Sequence, residues 1–418
     1  MIIYEIEKGD SLYSIATRYG TTVDRIAQVN NINPNDSLII GQAITIPVES
    51  IQYTVMRGDS LYRISRRFGV SLESIIQANP QISNPSLIVP GDIITIPLGI
   101  KPYEVVVNGY MIPGIDEGIL NATLPYLTYL SIFSYEVMPN GTLREIDDEQ
   151  YISESKSKGV EPLLTITNIG GNGFSSEIAH TILNDTTIQT TLISNILAVL
   201  SEKGYYGVNV DFEYLYPEDR DAYTQFLRNL TTILRQNGYL VAVAVAPKIS
   251  DNQEGLLYEA HDYRAIGEVV DIVIIMTYEW GYLYGDPQAI SPINKIDEVI
   301  SYAVTRIPAN KILLGVSNYA YDWTLPYVSG VPAKYLSNKQ ALDLAREKGS
   351  SIMFDRTAQS PFFYYYTPNN RHIVWFEDVR SLSAKLELVE RYNLLGISIW
   401  NINFLFNTSG LLNNKHNN

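Results

Sequence analysis

From residue 101 onward, short apolar segments rich in β-branched residues alternate with longer amphipathic stretches. The segments are apolar at consecutive positions, which is typical of parallel strands that are covered by helices. The predicted strands are Val105–Met111, Tyr129–Ser134, Pro162–Thr167, Tyr206–Phe212, Leu240–Ala246, Ile272–Thr277, Ile312–Ser317 and Gly396–Trp400. Eight such units over about 300 residues predict an α/β fold, the (β/α)8 TIM barrel, with a doubly wound open sheet as the alternative.

The connection between the seventh and eighth predicted strands is too long for a single helix. Its roughly 75 residues include a helical pattern over Asn338–Lys348 and aromatic strand patterns over Phe362–Tyr366 and His372–Phe376. We therefore expect a small α+β insertion over about residues 319–377, which forms a wall on one side of a groove.

The first hundred residues contain a duplicated sequence. Tyr4-Glu-Ile-Glu-Lys-Gly-Asp-Ser-Leu-Tyr13 recurs as Tyr53-Thr-Val-Met-Arg-Gly-Asp-Ser-Leu-Tyr62, and both copies end on Gly-x-x-Ile-Thr-Ile-Pro. The alternating ends predict strands, and the middle predicts two helices, the first capped by Asp10 or Ser11 and by Asp59 or Ser60. This pattern resembles the LysM module, a βααβ unit that binds N-acetylglucosamine in peptidoglycan or chitin.

At 418 residues the chain exceeds the size at which a single core stops growing. We expect the repeats to occupy residues 1–49 and 50–99 and the barrel to occupy residues 100–418. The repeats are expected to form a self-contained module that ends at a short joint over residues 98–101.

Composition and charge exclude several classes of function. A formal charge of −15 disfavours nucleic acid and anionic membranes as partners, and a neutral glycan remains compatible. The chain has no cysteine, and its four histidines form no HExxH pair, so we expect neither a metal nor a cofactor. The N-terminal residues show neither a basic leader nor a long apolar run, so no conventional signal peptide is expected.

The fourth predicted strand carries the acidic residues that suggest chemistry. Side chains alternate along a strand, so Asn209, Asp211 and Glu213 share one face while the apolar residues between them share the other. The apolar side chains fit against the helices, so the polar side chains are expected to point into the barrel. Burying a carboxylate there costs free energy unless another group compensates its charge. Glu213 falls at the carboxyl end of the strand, where TIM barrels place their active sites.

This segment resembles the DGxDxDxE signature of glycoside hydrolase family 18, the chitinase-like enzymes. Three further segments resemble other motifs of that family in the expected order: Leu164-Thr-Ile-Thr-Asn-Ile-Gly170-Gly171 on the third strand, Met276-Thr-Tyr278-Glu279 on the sixth and Gly396-Ile-Ser-Ile-Trp400 on the last. The resemblance implies a retaining mechanism in which the 2-acetamido oxygen of the substrate is the nucleophile, an exception to the usual pair of carboxylates.

The resemblance also implies a role for each matching residue. Glu213 is expected to be the general acid and then the base, and Asp211 to orient the acetamido group. Tyr278 is expected to hydrogen-bond that group, and Trp400 to stack under the sugar. Met276, Tyr110, Glu279, Gly170 and Gly171 are expected to line the pocket.

The sequence departs from the family pattern at three positions. Tyr206 and Asn209 stand where the signature has its first two acids, and Glu279 stands where the sixth strand has Asp. Asn209 can still donate a hydrogen bond to Asp211, but it cannot share a proton with it, so we expect the protonation cycle to differ from that of ordinary chitinases.

Two LysM-like repeats before such a barrel resemble the cortex-lytic enzymes of bacterial spores. The resemblance implies an N-acetylglucosaminidase that binds and cleaves cortical peptidoglycan during germination and is deposited in the spore coat or cortex without secretion. The alternatives are a chitinase and a non-catalytic glycan-binding protein of the spore coat.

Overall fold

The computed structural model describes residues 1–68, 70–97, 103–171, 173–405 and 411–414. The expected joint over residues 98–101 lies outside these ranges. Within them, no helix combines the length and the apolar character that crossing a bilayer requires.

Each repeat folds as a βααβ unit. The elements of the first repeat are Ile2–Glu5, Leu12–Tyr19, Val23–Asn30 and Ala43–Ile46, and those of the second are Ile51–Thr54, Leu61–Phe68, Leu72–Ala78 and Ile93–Ile96. The two strands of each unit pair antiparallel. Ser11 caps the first helix, whereas Asp10 accepts hydrogen bonds from the Tyr4 hydroxyl and the Glu7 backbone instead.

Eight parallel strands form a closed barrel, which confirms the predicted fold and excludes the open sheet. Barrel strands 1 to 8 are Tyr103–Met111, Tyr129–Val137, Glu161–Thr167, Gly207–Asp211, Leu240–Val245, Ile272–Ile275, Ile312–Ser317 and Gly396–Trp400. Pairing of barrel strand 8 with barrel strand 1 closes the ring. Shorter strands flank it at Leu143–Arg144, Ile169–Gly170, Gly173–Phe174 and Leu412–Asn414.

Helices surround the barrel and bury the outward faces of its strands. They are Glu117–Thr123, Glu149–Ser157, Ser176–Leu183, Thr186–Lys203, Arg220–Gln236, Tyr263–Val269, Ile293–Ala303 and Val379–Arg391, with 3-10 turns at Leu124–Tyr126, Pro217–Asp219 and Ala309–Lys311. The large core lies between strands and helices, and a smaller cluster that includes Val106, Leu163 and Ile274 fills the inside of the barrel. The inside is therefore packed at its lower levels, and only its carboxyl end is available for a site.

An insertion with its own antiparallel sheet follows barrel strand 7. Its strands are Ala320–Leu325, Lys334–Leu336, Met353–Asp355, Ser360–Tyr366 and Arg371–Trp375, and its helix is Asn338–Glu347. One face of this insertion sheet packs in a cluster with Ala341 and Ala345 of the helix. The other face carries Trp323 and Trp375 and packs toward Tyr278 and Trp400 at the carboxyl end of the barrel.

Candidate functional site

Barrel strand 4 orients its residues as the alternation predicts. Val208, Val210 and Phe212 belong to the core between strands and helices. Asn209 and Asp211 are buried on the opposite face, inside the barrel. Glu213 follows two residues after the strand ends and is half-buried. The candidate acid thus stands at the mouth of the barrel, above Asp211.

The backbone of Glu213 is held from both sides by one side chain. The amide nitrogen of Asn168 donates to the Glu213 carbonyl at 2.8 Å, and the Glu213 N–H donates to Asn168 Oδ1 at 2.9 Å. Asn168 is fully buried and also donates to the Ser175 carbonyl at 3.1 Å. Its bonds to Glu213 continue the pairing of barrel strands 3 and 4 beyond the strand ends and fix the position of the Glu213 backbone.

A buried histidine supports the residue before Glu213. The Ala246 N–H donates to His261 Nδ1 at 3.0 Å, so His261 Nε2 carries the proton and donates to the Phe212 carbonyl at 3.1 Å. Burial lowers the pKa of His261 to about 4, which keeps the ring neutral. Its function in the structure is to tie barrel strand 4 to barrel strand 5.

The amide of Asn209 is not bonded to Asp211. Its nitrogen donates to the Tyr110 hydroxyl at 2.6 Å, and among the described residues no hydrogen bond joins it to Asp211. The described residues thus show the Asn209 amide bonded to the Tyr110 hydroxyl and not to Asp211. Asp211 Oδ1 is buried and has no donor from the described part of the chain.

Aromatic rings form the floor of the pocket. Trp400 packs edge-on against Phe133 at 4.9 Å and against Tyr110 at 5.3 Å between ring centroids. Met276 is partly buried in the same interior cluster. Tyr110 is only 2% exposed, so it supports Trp400 and Asn209 from below rather than forming open pocket surface.

The end of barrel strand 6 brings Tyr278 and Glu279 to the mouth. A Cβ added at Gly315 would lie 2.9 Å from the Tyr278 ring, so the glycine leaves the room that this ring needs. Glu279 has a left-handed φ of 66°, a conformation that costs energy outside glycine and is often found at functional sites. Its carboxylate accepts hydrogen bonds from the hydroxyls of Tyr319 and Tyr321, which come from the insertion.

Burial and mutual repulsion control the protonation of the acids. Burial raises the pKa of both Asp211 and Glu213, and the nearby charges of Asp211 and Glu279 raise the pKa of Glu213 further. Burial also raises the pKa of Glu279, against the two phenol hydrogen bonds that lower it. The raised pKa favours the protonated form of Glu213, which is the form that a general acid requires.

The glycine pair and Tyr206 lie at the margins of this arrangement. Gly170 and Gly171 form the hairpin that follows barrel strand 3, and a Cβ at Gly170 would approach Ile178 to 2.6 Å. Tyr206 precedes barrel strand 4 at the opposite end of the barrel and packs against Tyr129. The first departure from the family signature therefore lies away from the mouth.

Sequence reasoning did not identify Asn168, His261, Tyr319 or Tyr321 as site residues. A signal existed only for Asn168, a polar residue immediately after a buried apolar strand. Within the described ranges, no three His, Asp or Glu residues converge as a metal site would require.

Comparison with known proteins defines the class to which this fold and site belong. The model of Glycosyl hydrolases family 18 matches residues 109–404, and that of the LysM domain matches residues 4–47 and 53–97. The chain belongs to glycosyl hydrolases family 18 and is a glycosidase that carries two LysM domains.

Its relatives include enzymes of spore-forming bacteria. The chain is 47% identical to the cortical fragment-lytic enzyme of Bacillus subtilis (strain 168), over 99% of this chain and 97% of that protein. The crystal structure of the Bacillus cereus spore cortex-lytic enzyme SleL matches with a TM-score of 0.85 at 40% identity, covering 100% of this chain and 99% of the other. That of Bacillus megaterium SleL matches with a TM-score of 0.86 at 37% identity, covering 98% and 96%.

Proposed function

We propose that this protein is a retaining N-acetylglucosaminidase that hydrolyses spore cortex peptidoglycan during germination. The observation that carries the proposal is the placement of Glu213, which combines a raised pKa, a position at the mouth of the barrel and a backbone fixed by Asn168. Protonated Glu213 donates to the glycosidic oxygen, and the resulting carboxylate then activates the attacking water.

The nucleophile is the acetamido oxygen of the substrate. Asp211 lies one pleat below Glu213 on the same strand face, about 6 to 7 Å away along the strand, so it does not face the opposite side of the anomeric carbon. Asp211 is 4% exposed, and its carboxylate is suited to accept the acetamido N–H. Asn209, which precedes Asp211 on the same strand face, does not share a proton with it and instead holds the Tyr110 hydroxyl by a hydrogen bond.

The surrounding residues bind the sugar. Trp400 stacks beneath the ring, Tyr278 donates to the acetamido oxygen, and Met276 packs beside them. Glu279 binds sugar hydroxyls from the wall of the groove. The hairpin with Gly170 and Gly171 borders the entrance.

The polymer is held by the LysM domains and the groove of the barrel. We propose domain bounds of residues 1–49, 50–99 and 100–418, with the insertion over about 319–377. The similarity to spore cortex-lytic enzymes supports deposition in the coat or cortex of the spore.

Digestion of purified cortex tests the proposed bond specificity. Mass analysis of the released muropeptides is expected to show reducing N-acetylglucosamine ends, and reducing muramic acid ends would contradict it. Faster turnover of chitin than of cortex would favour the chitinase alternative, and absence of hydrolysis on both would favour a binding protein.

Replacing the proposed acid tests the catalytic assignment. Glu213→Gln keeps the shape but cannot donate the proton, so hydrolysis is expected to fall about 10²- to 10⁴-fold while glycan binding persists. Glu218→Gln, on the surface turn that follows, is a matched control expected to keep full activity. Near-normal turnover by folded Glu213→Gln protein would refute the assignment.

A further inference from the structure

The first repeat is packed against the insertion rather than separated from the catalytic unit. Ile39 is 5% exposed and lies in the same apolar cluster as Ala320, Ala345 and Phe363 of the insertion. It is absent from the cluster of buried residues that forms the core of its own repeat. The side chain of Ile39 therefore completes the core of the insertion.

Backbone and charged groups reinforce this contact. The Ile352 N–H donates to the Ile40 carbonyl at 2.8 Å. Arg380 donates to the Gly41 carbonyl at 3.2 Å and to Glu5 Oε2 at 2.8 Å. Arg346 Nε donates to the Ser37 carbonyl at 3.0 Å. The contact includes directional bonds to backbone carbonyls, which fix the orientation of the repeat as well as its proximity.

The corresponding surface of the second repeat is exposed. Counting from the shared Gly-x-x-Ile-Thr-Ile-Pro segment, Val89 corresponds to Ile39 and is 57% exposed. Ile93 corresponds to the half-buried Ala43 and is 64% exposed. Both glycines of the segment have positive φ, but a Cβ at Gly41 would lie 1.9 Å from the Ile352 carbonyl, whereas one at Gly91 would meet nothing within 4 Å.

The insertion connects this contact to the candidate site. The face of the insertion sheet that receives Ile39 lies opposite the face that packs toward Trp400 and Tyr278. Tyr319 and Tyr321, which hold the Glu279 carboxylate, stand at the start of that sheet. Contact of the first repeat with the back of the insertion sheet can therefore stabilise the opposite face, which forms the wall of the groove.

We propose that the two repeats have different tasks, and that the first is a fixed support of the insertion that holds the groove wall in place. The second repeat does not share this task, because its corresponding surface is exposed. The expected self-contained module of two repeats is corrected accordingly: the first repeat is structurally part of the catalytic unit. This inference does not depend on which polysaccharide the enzyme cleaves.

A pair of matched glycine substitutions in the full-length protein tests the proposal. Gly41→Ala and Gly91→Ala impose the same left-handed strain, but only the first forces the repeat away from Ile352. Hydrogen exchange of strands Ser360–Tyr366 and Arg371–Trp375 is expected to accelerate about 10-fold or more in Gly41→Ala and to stay unchanged in Gly91→Ala. KM for a small soluble substrate is expected to rise about 3- to 10-fold in Gly41→Ala alone.

A milder pair covers the case in which Gly41→Ala does not fold. Ile39→Ala removes a side chain from the insertion cluster and leaves the core of the first repeat intact, and Val89→Ala is its counterpart. Faster exchange in the insertion sheet is again expected only for the first variant. Equal exchange in Ile39→Ala and Val89→Ala would overturn the proposal, and it would leave the proposed hydrolysis unaffected because exchange is measured without substrate.

Discussion

Replacing Asn168 by alanine should separate the positioning of Glu213, the proposed catalytic acid, from its chemistry. The substitution leaves the Glu213 N–H and carbonyl without their partner, and both groups lie in a partly buried region. Together with the lost bond to the Ser175 carbonyl, these three bonds contribute about 1.5 to 4.5 kcal/mol of net stability. For a domain of about 300 residues, each kcal/mol lowers the melting temperature by about 1 to 2 °C. The freed Glu213 backbone can shift, and a displacement of about 1 Å can reduce a rate about 100-fold.

The assay compares kcat and KM of Asn168→Ala and Asn195→Ala at a temperature where both are folded. Asn195 donates to the Gly141 carbonyl at 2.8 Å, so its loss also removes a partly buried amide bond, but far from the site. We expect kcat to fall about 10- to 100-fold in Asn168→Ala with KM changed less, and to be unchanged in Asn195→Ala. Equal kcat values in the two variants would show that the Asn168 bonds serve stability alone.

Two further perturbations probe the acids and the nucleophile. The charge of Glu279 raises the pKa of Glu213, so Glu279→Gln is expected to lower that pKa. Because the proposed acid must be protonated to act, the alkaline limb of the kcat/KM profile is expected to move to lower pH. An alkaline limb at the same pH in both proteins would exclude this coupling. A substrate with a free 2-amine at the cleaved sugar is expected to be inert, and a thiazoline analogue of the bicyclic intermediate should bind far more tightly than N-acetylglucosamine. Efficient cleavage of the 2-amino substrate would disprove participation of the acetamido group.

The barrel could be predicted because its strands and helices differ in local pattern. Consecutive β-branched residues define barrel strands such as Ile312–Ser317, where the predicted and observed bounds coincide. The inward direction of Asn209 and Asp211 also followed from local alternation. Both inferences use only neighbours in sequence, whereas closure of the barrel rests on the pairing of barrel strand 8 with barrel strand 1, which joins residues at opposite ends of the domain.

The missing parts of the site depend on pairs of residues that are distant in sequence. Asn168 and Glu213 are 45 residues apart, and Phe212 and His261 are 49 apart. Tyr321 reaches Glu279 from an insertion whose orientation no local pattern specifies. The contact of Ile39 with the insertion also joins residues that are distant in sequence. Local sequence does not reveal it, because the segment around Ile39 resembles the segment around the exposed Val89.

The amide at position 209 limits where a proton can be stored during turnover. An asparagine cannot ionise, and its nitrogen is already bonded to the Tyr110 hydroxyl, whose pKa burial raises well above its usual range. Barrel strand 4 therefore has no carboxylate at position 209 that could accept a proton from Asp211. In the proposed mechanism, each proton that Glu213 gives to the departing sugar is restored by the water that completes hydrolysis, so the catalytic cycle is reset from solvent rather than from a reserve inside the barrel.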